Sequence, residues 1–458
     1  MARKPASRPP ARFPAKSATS ASAREASPSG ERLSATSPSG VAARAPKGHS
    51  GNNLARLERI ENPPVVRVER LALGGEGVAH LEGKVLFIPH ALPGDDVEVH
   101  ALETHPSWSR VRAHRLVQAS ALRRSPPCMH AQACGGCPWM GLDEQVQAET
   151  RRQVVVEVMQ RLAGIPAEKV LATRRSPLEL GYRSRLRLRA EGFRIGFRAA
   201  GSHELVDIPT CVVAKPALNR LLAEVRAWLQ PQLPLEQPLQ LELQQDAEGG
   251  LEVGLLGEVL EQLRPFVASP GVKVVARPRV LEGGELVLRF AQAQVEQNQA
   301  LVEAALEALA VQPEHRVLDL FCGSGNFSLP LLGRVKGLVG VELAGPAVQE
   351  ARRQAGKRAT FLEGDCAEVV RGLIRQGQTF ERVLLDPPRA GAREVCGMLP
   401  QLRPSRVVYV SCDPATLARD LKLLLQAGYE LRSVEPFDMM PQTAHVECLA
   451  VLTLRGAR

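Results

Sequence analysis

Short apolar runs alternate with helical patterns from about residue 293 to the C-terminus, and this alternation constrains the fold more than any other feature. A helical pattern at 294–310 is followed by the runs HRVLDLF, GLVGVEL, ATFLEGD, RVLLDPP and VVYVSC and by a final antiparallel-looking pair of strands. Strands that alternate with helices of about 10–15 residues are typical of a parallel, doubly wound α/β sheet. Such sheets bind ligands at the carboxyl ends of their strands, so the residues that end these runs are the first candidates for a site.

The chain before this region divides into three segments. Residues 1–56 contain ten Lys/Arg and two Glu among many Pro, Ser and Ala residues, which predicts a disordered basic tail. A solubilising leader and a non-specific nucleic-acid arm both fit that composition. Residues 57–118 show alternating apolar positions between glycine-containing turns, which predicts a small antiparallel β-barrel. Residues 119–285 mix helical and strand patterns and form a predicted central α+β domain, and residues 286–458 form the sheet domain.

The composition argues against a membrane-spanning chain and against a disulfide framework. No apolar stretch approaches the roughly 20 residues that cross a bilayer. The nine cysteines are odd in number, and no signal-peptide core precedes them. We therefore expect a soluble protein of the reducing cytoplasm with no membrane partner. The tail carries most of the net charge of +9, so binding of nucleic acid by the folded part has to be argued from local patches.

A glycine-containing turn follows the first apolar run. The stretch RVLDLFCGSGNF places Asp319 at the end of a strand and Gly323 and Gly325 in the turn before a helix. Glu342 ends the next run and Asp365 the one after it. Acidic residues at the tips of successive strands, without a third glycine at the dinucleotide spacing, fit S-adenosylmethionine (SAM) better than NAD.

A cysteine and an aspartate end the last two parallel runs. Asp386 is followed by Pro387, Pro388 and Arg389, and Cys412 ends VVYVSC. A thiol at this edge suits methyl transfer to a pyrimidine carbon, because adding a thiolate at C6 of uracil raises the electron density on C5. A base must afterwards remove the C5 proton, and Glu447 in the segment TAHVECL is the candidate.

These segments together resemble the RNA 5-methyluridine methyltransferases. The resemblance is carried by DLFCGSGNF (319–327), LLDPPRAG (384–391), VSCDPATLARD (410–420) and HVE (445–447). It implies that Cys412 is the nucleophile, that Glu447 is the base and that Asp386 lies by the cofactor and the target base. It also implies a set of SAM contacts: Gln292, Phe321, Asn326, Glu342 and Asp365.

Two residues depart from the pattern of that family. Gln294 stands where the family has Asn in Phe-x-Gln-x-Asn, and Asp413 replaces the usual Asn after the nucleophile. A carboxylate beside a thiol raises the pKa of that thiol, and the sequence leaves open whether Asp413 acts on Cys412 in this way.

Four cysteines form a separate group outside the sheet domain. Cys128, Cys134 and Cys137 have the spacing C-x5-C-x2-C, and Cys211 follows in VDIPTC. Four thiolates suit either zinc or an iron–sulfur cluster. The pattern is similar to the [4Fe–4S] ligands of the 23S rRNA uridine methyltransferases, so the resemblance implies these four residues as cluster ligands.

An RNA substrate is indicated by a row of arginines. Arg183, Arg185, Arg187 and Arg189 alternate along one predicted strand, which suits phosphate contacts, and Tyr182, Phe193 and Phe197 offer stacking surfaces. The predicted barrel is similar to a TRAM domain, an RNA-binding module. Barrel and cysteines together resemble the branch of the family that methylates one uridine of 23S rRNA, and no DNA partner is expected.

Other functions remain open at this point. The target could be another 23S rRNA site or a tRNA, or the chain could be an RNA-binding protein without catalytic activity. An amino-group methyltransferase also carries an acid-Pro-Pro motif, but usually has an aromatic residue where Arg389 stands here. An enzyme with a single rRNA target needs no oligomer, so a monomer is expected.

Overall fold

The computed structural model describes residues 63–456, except 201, 247, 276–278, 281–285 and 288–291. The predicted basic tail of residues 1–56 lies outside the described residues. No helix in the described part of the chain is both long enough and apolar enough to span a bilayer. All nine cysteines lie among the described residues and are free thiols.

The first part of the chain folds into a six-stranded sheet. Its buried residues alternate along the strands, so Val66, Val97, Val99 and Val111 share one core with Ile88. The strands are β1 (Val65–Arg67), β2 (Arg70–Leu71), β3 (Gly77–Leu81), β4 (Lys84–Ile88), β5 (Asp96–Thr104) and β6 (Trp108–Gln118), in the order β1-β5-β6-β4-β3-β2. The prediction of a purely antiparallel barrel is wrong in one pair, because β4 and β6 run parallel.

A long helix precedes the second sheet. Helix α1 (Glu144–Ala163) begins where Asp143 accepts a hydrogen bond from the Gln145 amide and ends at Gly164, whose φ of 67° is left-handed. Its apolar residues Val155, Val158 and Met159 share a core with Leu421 and Leu424 near the C-terminus. The described residues belong to one compact unit, so the boundary at residue 285 stays a prediction.

The second sheet also has six strands, with one helix packed against it. Leu186, Leu188 and Ala190 alternate along β7 and pack with Leu218 and Leu222 of α2. The elements are β7 (Arg185–Gly192), β8 (Arg194–Arg198), β9 (Leu205–Asp207), α2 (Pro216–Leu229), β10 (Leu235–Gln245), β11 (Leu251–Leu256) and β12 (Val272–Val275). The strand order is β12-β11-β10-β7-β8-β9, and β13 (Arg279–Val280) pairs separately with β14 (Leu286–Val287).

The third sheet confirms the predicted doubly wound α/β architecture. Its elements are α3 (Val295–Leu309), β15 (Arg316–Leu320), β16 (Gly337–Glu342), α4 (Gly345–Ala355), β17 (Thr360–Glu363), α5 (Cys366–Arg375), β18 (Arg382–Leu385), α6 (Arg393–Met398), β19 (Arg406–Ser411), α7 (Pro414–Gln426), β20 (Tyr429–Phe437) and β21 (Glu447–Leu454). The order is β17-β16-β15-β18-β19-β21-β20, with β21 antiparallel to both of its neighbours. The order reverses between β15 and β18, which is where sheets of this kind bind ligands.

Candidate active site

The turn after β15 is the first wall of the site. Phe321 has a φ of 64°, which is uncommon for a residue with a side chain, and Gly323 and Gly325 also have positive φ. A Cβ on Gly325 would lie 2.7 Å from Cγ of Leu329, so glycine is required there. The amides of Cys322 and Gly325 donate hydrogen bonds to the carbonyl oxygens of Val341 and Cys322, so the turn forms a fixed wall of the crevice above β15.

The carboxylate of Glu342 joins two turns at this edge. Its Oε2 accepts a hydrogen bond from the Gly323 amide at 3.2 Å, and its Oε1 accepts one from the Ala344 amide at 2.7 Å. Glu342 ends β16, next to β15 in the sheet. The predicted cofactor residue thus also holds the glycine-containing turn in place.

Asn326 is paired with a residue that the sequence analysis did not single out. The side-chain amides of Asn326 and Asn298 exchange two hydrogen bonds of 2.9 and 3.1 Å. Asn298 lies in the first turns of α3, and no spacing rule links it to the glycine-containing turn. Only the packing of α3 brings the two amides together.

The remaining predicted cofactor residues lie on flanking segments. Asp365 begins α5, where its Oδ1 accepts hydrogen bonds from the amides of Ala367 and Glu368. Gln292 lies three residues before α3, and its carbonyl oxygen accepts a hydrogen bond from the Ser184 hydroxyl at 2.8 Å. Gln294, which stands where the family has asparagine, is buried and exchanges hydrogen bonds with the Ser176 hydroxyl. That pair explains how glutamine is accommodated where the family has asparagine.

Asp319 and Asp386 place two acids in the floor of the crevice. Asp319 is fully buried, and its Oδ2 accepts a hydrogen bond of 2.5 Å from Ser328. Burial and the nearby Glu342 raise the pKa of Asp319 to about 7. Burial, Asp319 and Glu342 also raise the pKa of Asp386 above its usual range. Such shifts are typical of functional sites.

Cys412 lies at the end of β19, in the same crevice as Asp386. Burial, the carboxylate of Glu447 and that of Asp386 raise the pKa of the Cys412 thiol to about 11. The guanidinium of Arg389 acts in the opposite direction, through its positive charge and a hydrogen bond to the sulfur. Arg389 also contacts Nδ1 of His445 at 3.2 Å. The structure thus brings together all three predicted catalytic residues and adds Arg389 as a direct partner of the thiol.

Asp413 caps the first turn of α7. Its Oδ1 accepts hydrogen bonds of 2.9 Å from the amides of Ala415 and Thr416, which begin α7. The main causes that raise the pKa of Cys412 are burial, Glu447 and Asp386, and Asp413 is not among them. A helix cap requires a short polar side chain at this position, and Asp and Asn both satisfy that requirement.

Glu447 follows a loop that is held in place by Arg151, a residue of α1. Arg151 is fully buried and forms an ion pair of 2.9 Å with Asp438. The same guanidinium donates hydrogen bonds to the carbonyl oxygens of Met440, Thr443 and His445. This set of bonds orders the loop between β20 and β21, which ends where Glu447 begins its strand. Burial and Asp386 raise the pKa of Glu447 well above its usual range.

The four cysteines of the separate group line one cavity. It is lined by Cys128, Cys134, Cys137 and Cys211 together with Arg183. The Gly136 amide donates a hydrogen bond of 3.4 Å to Sγ of Cys134, and backbone amides of Val213 and Ala214 act in the same way on Cys211. Burial raises the pKa of the Cys137 thiol to about 12, whereas the positive charge of Arg183 opposes that shift.

The arginine row is less open than the sequence suggested. Arg185 and Arg187 form ion pairs with Glu242 of the neighbouring strand β10, and Arg183 lies at the cysteine cavity. Tyr182 is fully buried and cannot stack on a base, whereas Phe193 is 71% exposed. Glu242 is distant from the arginines along the chain, and the pairing of β10 with β7 brings it next to them.

Comparison with known proteins identifies two regions of the chain. A family model described as tRNA (Uracil-5-)-methyltransferase matches residues 284–360 and 368–455, and a TRAM domain model matches residues 65–110. In the solved structures, the tRNA (uracil-54, C5)-methyltransferase of Pyrococcus abyssi in complex with S-adenosyl-L-homocysteine has a TM-score of 0.64 and 24% identity, over 85% of this chain and all of that one. That likeness shows the fold, which is the class I SAM-dependent methyltransferase fold.

This chain aligns with nearly the whole length of two curated relatives. The 23S rRNA (uracil(1939)-C(5))-methyltransferase RlmD of Pectobacterium atrosepticum is 36% identical over 416 residues, 84% of this chain and 92% of the relative. RlmD of Alcanivorax borkumensis is 33% identical over 438 residues, 86% of this chain and 98% of the relative. The predicted resemblance is confirmed, and the chain belongs to the RlmD-like family of uracil-C5 RNA methyltransferases.

Proposed function

We propose that this chain transfers a methyl group from SAM to C5 of a uridine in 23S rRNA. The single observation that carries the proposal is the meeting of Cys412, Glu447 and Asp386 at the carboxyl edge of the sheet, beside the glycine-containing turn. A thiol next to two carboxylates of raised pKa suits a reaction that needs a nucleophile and a proton acceptor in turn. The names of the relatives supply the substrate, 23S rRNA and its uracil 1939.

Cys412 begins the reaction by addition to the uracil ring. Its sulfur forms a bond with C6, and the electron pair of the C5–C6 double bond moves towards C5. Because burial and carboxylates hold the thiol in its protonated form, its proton must pass to a water molecule as the substrate binds, which leaves the carboxylate of Glu447 free for the later proton transfer. Arg389 stabilises the resulting thiolate through its hydrogen bond to the sulfur.

Glu447 completes the reaction. When bound, SAM supplies an electrophilic methyl group to the nucleophilic C5. The carboxylate of Glu447 then accepts the C5 proton, the C5–C6 double bond re-forms and the sulfur leaves C6. Burial and Asp386 raise the pKa of Glu447, which makes its carboxylate a stronger base than an exposed one.

The proposed cofactor contacts follow the wall of the crevice. Phe321 and Asn326 lie in the turn region, and Glu342 ends β16. A carboxylate at the end of the second strand suits the ribose hydroxyls of a nucleoside cofactor. Gln292, Asp365 and Asp386 complete the proposed set.

Incubation with SAM and a 23S rRNA fragment that carries 5-fluorouridine tests the proposal. We expect a covalent protein–RNA adduct, because no C5 proton remains for Glu447 to remove. Cys412→Ala should form no adduct, whereas the matched variant Cys396→Ala, which changes a buried cysteine of α6, should form it. An adduct with Cys412→Ala would exclude this residue as the nucleophile, and methylation of adenine amines would exclude the mechanism.

We also propose that the four grouped cysteines hold a [4Fe–4S] cluster. In the described part of the chain, no three cysteine sulfurs all lie within 4.8 Å of one another. Sulfur ligands of a tetrahedral zinc ion would lie about 3.8 Å apart, so the spacing favours a larger group. The amide hydrogen bonds to sulfur and the nearby Arg183 suit an anionic cluster.

The proposed cluster contributes to the position of the catalytic loop. Two residues after Cys137, the Trp139 amide donates a hydrogen bond to the Gln442 carbonyl, and the Tyr182 hydroxyl donates one to the carbonyl of Pro441. Both acceptors belong to the loop that leads to Glu447.

The iron content and colour of the protein test the proposed cluster. An anaerobic preparation should be brownish with about four iron atoms per chain. A colourless protein with one bound zinc ion would contradict the cluster.

Binding of rRNA is the last part of the proposal. The TRAM domain and the exposed Phe193 at the turn between β7 and β8 are suited to RNA. Phe193→Ala should weaken binding of the rRNA fragment, whereas Val267→Ala, at an apolar residue that is 86% exposed, should not. Full activity on tRNA, or on an rRNA site other than uracil 1939, would identify a different substrate. We also propose a monomer, because an enzyme with a single rRNA target needs no oligomer.

A further inference from the structure

Two histidines and a glutamate converge on the outer face of the first sheet. Glu98 and His100 lie two residues apart on β5, so they share one face, opposite to the buried Val97 and Val99. His114 lies on the paired strand β6. One ligand atom from each of the three residues lies within 4.8 Å of the other two.

A β-bulge brings His114 to this face. Glu98 pairs with Arg115, but the next residue of β5, Val99, pairs with Ala113. His114 is therefore the additional residue in β6, opposite the step between Glu98 and Val99. Bulges re-aim a side chain in this way and are common next to functional sites.

The carboxylate of Glu98 is oriented by a neighbouring arginine. Nε and Nη2 of Arg115 donate hydrogen bonds of 3.1 and 2.8 Å to Oε2 of Glu98. Oε1 faces Nε2 of His114 at 3.9 Å. A metal-ligating carboxylate is typically fixed by such an outer hydrogen bond, which leaves one oxygen for the ion.

His100 supplies an independent observation that points to a ligand. Its Nε2 is buried and has no hydrogen-bond partner among the described residues. The rings of His100 and His114 are in edge contact, with centroids 4.7 Å apart. A buried ring nitrogen without a partner is costly, and a bound cation would satisfy it.

We propose that Glu98, His100 and His114 form a binding site for a transition-metal dication, Zn²⁺ in the first place. Two imidazoles and a carboxylate are a donor set that suits zinc, whereas magnesium and calcium prefer oxygen ligands alone. Ligand atoms of a tetrahedral zinc site lie about 3.3 Å apart, whereas those of this set all lie within 4.8 Å of one another, so the three side chains would move closer together on binding the ion. Three protein ligands leave one coordination position for water.

Zinc binding to the untagged full-length chain, measured by equilibrium dialysis, tests the proposal. Wild type should bind one more equivalent of Zn²⁺ than His114→Gln. The matched control is His80→Gln, because His80 contacts Glu69 at 2.9 Å in the same sheet. His80→Gln should bind the same number of Zn²⁺ equivalents as wild type. All three proteins retain the four cysteines, so their difference reports this site alone.

The same number of equivalents in wild type and His114→Gln would overturn the proposal. A second experiment uses the wild-type chain and needs no variant. Diethyl pyrocarbonate modifies histidines, and mass spectrometry identifies which of them have reacted. Zn²⁺ should protect His100 and His114 but leave His80 and His105 as reactive as before. Equal reactivity of His114 with and without Zn²⁺ would also overturn the proposal.

Discussion

Glu447 begins β21 beside the end of β19, one step beyond the paired residues Ser411 and Cys448, and it lies close enough to Cys412 to raise the pKa of that thiol. The antiparallel insertion of β21 next to the last parallel strand creates this neighbourhood. The proposed nucleophile and the proposed proton acceptor are therefore held next to each other by one strand pair.

Glu447→Gln should stop the reaction after methyl transfer. The amide cannot accept the C5 proton, so methylated RNA should accumulate while still bound to Cys412. Denaturing gel electrophoresis with methyl-labelled SAM and unmodified rRNA measures this adduct. Glu435→Gln, which changes a carboxylate of β20 that pairs with Arg174, should release its product normally. Prompt release of product from Glu447→Gln would remove Glu447 from the role of base.

Alkylation of Cys412 by iodoacetamide should increase steeply with pH. The thiolate is the reactive form, so a pKa of about 11 means that the rate rises without a plateau at neutral pH. Glu447→Gln removes a negative neighbour and should lower the pKa, whereas Arg389→Met should raise it. At a fixed pH near 8, we expect a difference of roughly tenfold between the two variants, measured by mass spectrometry of the Cys412 peptide. Equal rates would contradict the assigned electrostatics.

The ion pair of Arg151 with Asp438 should be sensitive to the loss of one partner. Arg151→Met leaves the buried carboxylate of Asp438 unpaired and should destabilise the fold by roughly 3–5 kcal/mol. The double variant Arg151→Met/Asp438→Leu should recover part of this loss. Unfolding in denaturant measures the free energy of unfolding of both variants. Arg353→Met, which breaks an exposed pair with Glu350, should leave the free energy of unfolding almost unchanged, because surface ion pairs contribute little.

Asp413 should influence stability and leave the nucleophile unchanged. Asp413→Ala removes two hydrogen bonds at the start of α7 and should cost about 1 kcal/mol, whereas Asp413→Asn keeps the cap. Neither variant should shift the pH dependence of Cys412 alkylation. A clear fall in the pKa of the thiol in Asp413→Asn would show that this carboxylate acts on the nucleophile after all.

The positions of the α/β elements follow from the sequence because their signals are local. Apolar runs of strand length, a glycine-containing turn and polar residues at strand ends are read within a few residues of each other, and parallel strands place their carboxyl ends at one edge. The sequence therefore predicts that Cys412, Asp386 and Glu342 lie at one edge of the sheet. The motif around Cys412 also pointed to the family.

Only the tertiary structure decided which groups surround these residues. The contact of Arg389 with the thiol, the pairing of Asn298 with Asn326 and the pairing of Glu242 with Arg185 and Arg187 join residues that are distant along the chain or whose side-chain directions the sequence does not specify. The pKa of a buried group depends on the sum of burial and nearby charges, which arises only when separate elements pack. For that reason the sequence located Cys412, the proposed nucleophile, whereas the packing of β21, Arg389 and Asp386 around its thiol decided the pKa of that thiol.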